Sequence, residues 1–266
     1  MTAAAAYLEA ATSAGLLAEL DGVPYVAGEY VDPVSRRRRV LVEYCDGGLV
    51  GTAAARDRLR AALAEAFPGN DSALVRVDAT TPGDLLAGSG WTRELVYVGY
   101  EGPVGPPTAD VRLERQEDRA FVRDWLERAF TLAQHQLGGP GDGAAEAAAA
   151  TMAHPARRTY VVGPSPEADP IGHATLLTDA VDEVRGVGFV ELLDALVEPE
   201  HDVRALVSAL VAVCAAYARQ EGRPLVGHVV ATPEAGDRVL GSLFRRGWRT
   251  WHSFYRCPLG DGGTAP

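Results

Sequence analysis

Several apolar runs in this 266-residue chain carry an ionisable side chain where a core strand would put an aliphatic one. FVELLDALV (Phe189–Val197) holds Glu191 and Asp194, PLVGHVVAT (Pro224–Thr232) holds His228, and IGHATLL holds His173. The run WRTWHSFYRC, from Trp248, adds His252 and Tyr255. Carboxylates and imidazoles are the groups that take a proton from an ammonium, and a phenol can return one to a leaving group. Glu191 therefore either faces a cleft or sits on an exposed edge. Strand alternation places Asp194 on the opposite face. Glu191 and His228 are the candidate bases and Tyr255 a candidate acid, with His252 able to fill that role. His173, Asp194, Thr232 and His252 are candidate substrate contacts. The plainer reading of His173 and His228 is a hydrogen-bonded core histidine, and His201 reads as a helix-entry residue.

Other chemistries lack their residues. The histidines at 135, 154, 173, 201, 228 and 252 share no HxH or HxxxH pairing, and Cys45, Cys214 and Cys257 are isolated, so no metal is expected. There is no P-loop, dinucleotide fingerprint or Gly-x-Ser-x-Gly elbow. All 25 basic residues are arginine, which removes Schiff-base chemistry. A net charge of -11 does not suit general nucleic-acid binding, because phosphate neutralisation supplies most of that affinity; RRRR at 36–39 reads as a solvated turn and strand face.

The elements that must hold these residues run from Phe189 to Cys257. A strand ends at Pro199, a helix spans 202–220, a second strand spans 224–232, a short helix ends at Gly247, and a last strand starts at Trp248. Upstream, 5–20 has helical spacing and composition and stops at Asp21-Gly22. VPYVAGEYVD and RRRVLVEYC flank a turn, and Leu59, Leu63 and Phe67 step by four along a helix from Thr52. SALVRVDA and WTRELVYVGYEG read as strands around a short helix at 81–90. EGPVGPPTA, 101–109, is the linker candidate. Beyond it come a strand, a long helix with Asp118 near its start, an Ala-rich helix ended by Pro155, the strand RRTYVVG and a strand bending near Thr178.

Two stretches repeat. SGWTRELVYVGY at 89–100 parallels RGWRTWHSFYRC at 246–257, and LVRVDATTPGD parallels LVGHVVATPEAGD upstream. Strand, Thr-Pro, short helix, Gly-Trp and strand thus occur twice, which points to an internal duplication.

This order resembles the acyl-donor half of the GNAT acetyltransferase superfamily, in a tandem arrangement. The resemblance implies a mixed α/β sheet with a truncated lobe at 1–100, the linker 101–109, a fuller catalytic domain at 110–258 and a tail at 259–266. It implies an acyl-CoA donor, acetyl-CoA by default, whose pantetheine arm pairs with the backbone at Ala195, Leu196 and Val197. The pyrophosphate loop would be Asp202, Val203, Arg204, Ala205, Leu206 and Val207. There Asp202 stands in place of an Arg or Gln, Ala205 in place of the first Gly, and Val207 in place of the second Gly or Ala, with Arg204 available to reach a phosphate. The usual acid would be a tyrosine four residues before Gly247, where Leu243 stands. Glu191 lies at the distance from the donor-binding backbone at which some members carry a glutamate base. The implied reaction is acyl transfer to an amine of a small molecule. An aminoacyl-tRNA donor, as in the Fem-type ligases, and a non-catalytic binding module are the alternatives. The segment MTAAAAYLEA has no basic start and no apolar run is of membrane length, so a cytoplasmic monomer or homodimer without a membrane partner is expected.

Overall fold

The computed structural model describes residues 2–32, 37–80, 86, 90–139, 141–165, 167–231 and 235–260. The order is α1 (Ala3–Ser13), β1 (Leu17–Leu20), β2 (Val23–Val31), β3 (Arg38–Cys45), α2 (Gly47–Val50), α3 (Ala53–Ala66), β4 (Ser72–Asp78) and β5 (Thr92–Tyr100). Then come β6 (Val111–Leu113), α4 (Arg119–Gln136), α5 (Ala144–Ala153), β7 (Arg157–Val162), β8 (Gly172–Asp182) and β9 (Val187–Val197). The chain ends with α6 (Val203–Gln220), β10 (Leu225–Val230), α7 (Ala235–Phe244) and β11 (Trp248–Pro258).

The eleven strands among the described residues form one mixed sheet, ordered β1-β2-β3-β4-β11-β5-β10-β9-β8-β7-β6. The last strand lies between β4 and β5 and is antiparallel to both. The expected units at 1–100 and 110–258 are thereby interleaved: β5 lies between β10 and β11, and β11 lies between β5 and β4. Outward from the β5–β11 pair the relations match on both sides. An antiparallel neighbour (β4 or β10) is followed by a parallel one (β3 or β9), then by two antiparallel ones. Both central strands are bulged against each other, β11 between Thr250 and His252 and β5 between Leu95 and Arg93. Gly90 and Gly247, which precede the paired tryptophans Trp91 and Trp248, both have positive φ, 76° and 88°. An added Cβ at Gly247 would meet Gly102 Cα at 2.6 Å, so glycine is needed there for space as well as for conformation.

Two apolar cores form on the sheet. In one, Leu210, Cys214 and Ala218 of α6 pack on Val190, Leu192, Val96 and Trp248. In the other, Leu59 and Leu63 of α3 pack on Val40, Val42, Val75 and Tyr255. A smaller cluster of Val122, Leu126, Phe130, Ala148 and Leu193 fixes α4 and α5 over β7 and β9. α6 is long and apolar enough to cross a membrane by length and composition alone, and its Leu210–Cys214 face is the one that covers the sheet.

Local capping explains several boundaries. Thr52 Oγ1 accepts from Ala55 N at 3.1 Å and starts α3. Asp118 accepts from Arg115 N at 2.7 Å and pairs with Arg112 just before α4. The first helix is shorter than its composition predicts. Gly15, at φ 70°, stops it, with Leu16 N bonding back to Ala11 O at 2.9 Å. Leu17–Leu20 then turns back through Asp21-Gly22, both at positive φ, and pairs with β2. Asp-Gly here makes a hairpin rather than a helix stop. The bend near Thr178 is present as a register shift between Leu177 and Ala180. The turn at 33–36 and most of the short helix expected at 81–90 lie outside the described residues.

Candidate active site

The sheet opens between β9 and β10. These parallel strands pair only at Val190↔Leu225, Glu191↔Val226 and Leu192↔Gly227. Beyond that, β9 is held by β8 alone and β10 by β5 alone, so a wedge separates them. A bulge lies at the divergence: Leu176 pairs with Leu192 but Thr175 with Asp194, leaving Leu193 as the extra residue. A bulge bends its strand and adds twist, which turns β9 away from β10. On one side of the wedge Ala195, Val207, Val211, Leu243 and Trp248 line a recess of about 220 Å³. On the other, α4 and α7 wall a cavity of about 820 Å³. Asp194 and Val229 line both.

Glu191 and His228 come together diagonally across the last paired step, Leu192↔Gly227. Glu191 Oε1 lies 3.3 Å from His228 Nδ1, with both side chains mostly buried. The contact is off the line of a good hydrogen bond, as is common for catalytic pairs without substrate. Tyr97, opposite His228 on β5, packs its ring 5.5 Å from the imidazole. Desolvation first, and the Glu191 charge second, push the Tyr97 phenol well above its ordinary value, so it stays protonated. His228 Nδ1 is buried and has no hydrogen-bond partner among the described residues, and Glu191 Oε1 is the carboxylate oxygen beside it.

The bulge also corrects the placement of Asp194. Simple alternation puts it on the face opposite Glu191; the extra Leu193 returns it to the same one. Asp194 Oδ2 meets His173 Nε2 at 3.1 Å, and His173 Nδ1 meets Thr175 Oγ1 at 3.1 Å. Thr175 continues to Thr159 at 3.1 Å, and Thr159 accepts from Arg157, which pairs with Glu114. His173 is fully buried, with its ring stacked on Trp125 at 5.3 Å. It is not a substrate contact, as its sequence position suggested; it holds Asp194, which is the residue that reaches the cavity.

The segment matched to donor binding is only partly arranged for it. Among the described residues Ala195, Leu196 and Val197 have no strand partner on the wedge side, which leaves that backbone edge open. At α6, however, Asp202 caps the helix itself, its Oδ1 accepting from Ala205 N at 3.1 Å. The amides that would receive a phosphate thus already face a carboxylate. Val203 and Arg204 are exposed, Leu206 and Val207 turn toward the apolar core, and the Arg204 side chain has no ion pair among the described residues. Leu243 lines the recess.

Two expected residues are elsewhere. Tyr255 packs with Val75, Leu59 and Leu63 in the other core and cannot serve as the acid at the wedge. His252 is buried behind Tyr97, stacked at 4.5 Å, and is separated from His228 by that ring. Burial first, and the Arg76 charge second, lower the His252 pKa to about 3, so it is neutral and no substrate contact. Thr232 lies outside the described residues. Among the described residues no cluster of three or more His, Cys, Asp or Glu is placed to hold a metal ion.

Residues the sequence reading missed lie on α4. Asp124, Glu127, Thr131 and Leu132 wall the large cavity. Their signal was a leucine on the polar face of that helix: Leu132 is 57% exposed.

No protein-family model and no curated sequence matches the chain. Solved structures do. A GCN5-related N-acetyltransferase from Sphaerobacter thermophilus is 15% identical, with a TM-score of 0.52 over 90% of this chain and 78% of that one. One from Kribbella flavida is 13% identical over 98% and 97%, with a TM-score of 0.47. A tandem GNAT protein from the clavulanic acid biosynthesis pathway is 13% identical over 92% and 82%, also with a TM-score of 0.47. Strand order, wedge and likeness agree on the architecture: this chain has the fold of the GNAT acetyltransferases.

Proposed function

We propose that the chain transfers an acyl group from a thioester, acetyl-CoA or another acyl-CoA, to the amine of a small molecule, in the wedge between β9 and β10. The observation that carries this reading is the Glu191–His228 pair at the point where the strands part. His228, oriented by Glu191, takes a proton from the ammonium at Nε2, directly or through one water. The amine nitrogen then bonds to the acyl carbon, and the open backbone edge at 195–197 donates to the oxyanion. The nitrogen sheds its second proton to water, the carbon–sulfur bond breaks, and the thiolate takes the first proton back from the imidazolium, since no tyrosine stands at the wedge end of α7; one proton is released overall.

The duplication remains part of this reading, supported by the matching strand relations on either side of β5–β11. By pairing register, the positions equivalent to Glu191 and His228 are Leu41 and Arg76. The N-terminal unit therefore has no equivalent acid–base pair.

The Asp202 cap favours a second reading of the donor. A diphosphate at this helix must displace or neutralise that carboxylate, whereas a donor without one, such as an aminoacyl-tRNA ester, need not. The net charge of -11 opposes tRNA. Calorimetry with acetyl-CoA and a panel of longer acyl-CoAs separates the two, followed by thiol release with an amine panel. Saturable binding and amine-dependent thiol release are expected. If no CoA species binds, the acyl-CoA reading is wrong.

A further inference from the structure

The large cavity is separate from the Glu191–His228 pair, neither of which lines it, and it has its own chemistry. Its volume of about 820 Å³ is that of a small-molecule site. Its floor is Asp194, whose side chain is 20% exposed. One carboxylate oxygen is held by His173, and the other has no hydrogen-bond partner among the described residues. The imidazole that fixes it is itself fixed on three sides, by Thr175, by Trp125 and by complete burial. A carboxylate so positioned and left with one open oxygen is a receptor for a donor entering the cavity.

The walls say which donor. Asp124 and Glu127 project from α4 one turn apart and form no ion pair among the described residues. The wall's arginine, Arg128, is drawn off to Glu198 at 3.2 Å. The cavity is therefore acidic. Thr131, His135 and Gln136 add polar groups along α4, and the rest of the surface is aliphatic: Leu196 and Val229 lie within, and Leu132 and Val239, 57% and 46% exposed, stand at its rim. Large exposed apolar side chains around an acidic floor match a molecule with a cationic head and an apolar body.

We infer that the cavity between α4, α7 and the end of β9 binds a primary amine carrying an apolar body, with the ammonium on Asp194 and the body against Leu132, Leu196 and Val239. His173 is a positioning residue for Asp194. Naming this molecule the acyl acceptor rests on the acyl-transfer reading above; the binding itself does not.

The test is an NMR titration of the full chain, without donor, using 2-phenylethylamine, 2-phenylethanol and 3-phenylpropionate. The amine is expected to bind at least about tenfold more tightly than the alcohol, a difference of ~1.4 kcal/mol, and the carboxylate not at all. Asp194→Asn should bring the amine down to the affinity of the alcohol. His173→Gln should weaken the amine while leaving the alcohol unchanged, which a general loss of structure would not do. Leu132→Asn, on an exposed helix face, should weaken amine and alcohol alike and keeps the test sound if either buried variant misfolds. Equal affinity for amine and alcohol, no binding of the amine, or an unchanged amine affinity in folded Asp194→Asn overturns the inference. Amine binding without acyl transfer from any CoA would leave the inference standing and remove the reaction. Transfer to hydrophilic amines without binding of 2-phenylethylamine would do the reverse.

Discussion

Glu191 and His228 meet at 3.3 Å across the last rung that joins β9 to β10, and one residue further on the two strands no longer pair. The candidate base thus sits where the sheet stops being a sheet. His228→Gln should lower kcat by roughly a hundredfold or more, the usual range for a lost general base. Glu191→Gln, acting through the imidazole, should lower it about tenfold with KM nearly unchanged. Steady-state thiol release checks both. Unchanged turnover in both variants would show that the pair is structural.

The cap on α6 makes a prediction about the donor. Asp202→Ser keeps a capping oxygen and removes a charge, so stability should change by no more than about 0.5 kcal/mol. Acyl-CoA affinity should rise several-fold at low salt, and the gain should shrink as ionic strength increases. Calorimetry of both proteins at two salt concentrations measures this, and a loss of affinity on removing the charge would show that Asp202 assists the donor.

His252 makes the fold sensitive to acid. It lies among Tyr97, Arg76, Asp182 and Arg185, and burial lowers its pKa from 6.5 to about 3. The unfolded chain therefore takes up this proton first. The contribution is fully present above pH 6.5 and is lost as pH falls toward 3, on the order of a few kcal/mol in total. Asp182, also lowered through Arg76 and Trp251 against its burial, acts in the same direction only below about its model-peptide value of 3.8. Urea midpoints between pH 7 and 4 should fall more steeply for the wild type than for His252→Gln. Parallel slopes would place the sensitivity elsewhere.

The same cluster ties the β8–β9 hairpin to the N-terminal strands. Asp182 accepts from Arg76 at 2.7 Å and from Trp251 Nε1 at 2.9 Å, and Arg185 donates to Trp251 O at 2.8 Å. Asp182→Asn should destabilise the protein by about 3 kcal/mol, because it leaves the buried Arg76 with only the exposed Asp78, at 4.0 Å, as counter-charge. Arg76→Met in that background should recover part of the loss. Chemical denaturation of the single and double variants checks this, and additive losses would show that the ion pair is not the cause.

Much of the C-terminal half was legible in the sequence. The run from β9 to β11 could be read from period, proline and glycine alone, because each element there announces its own ends. Contacts set by partners far along the chain could not. Leu193 carries no sign of a bulge, yet the bulge decides which face Asp194 occupies. Leu17–Leu20 has helix-forming residues and becomes a strand because β2 is available to pair with it. Tyr255 was a candidate acid by residue type on the last strand; that strand lies between β4 and β5, and the side chain enters the other core. Glu191 and His228 were each visible as charges in apolar strands, but their contact depends on a register that no local pattern states.

The interleaved centre of the sheet has a consequence for how the chain is made. Asp78 pairs with His252, 174 residues later (252 − 78 = 174). Until residues 248–258 leave the ribosome, β4 and β5 each present a bare edge, and such edges are templates for wrong pairing. Pairing at the centre of the sheet therefore waits for β11, at the pace set by distant contacts. A nascent chain stalled before β11 leaves both of those edges without their partner.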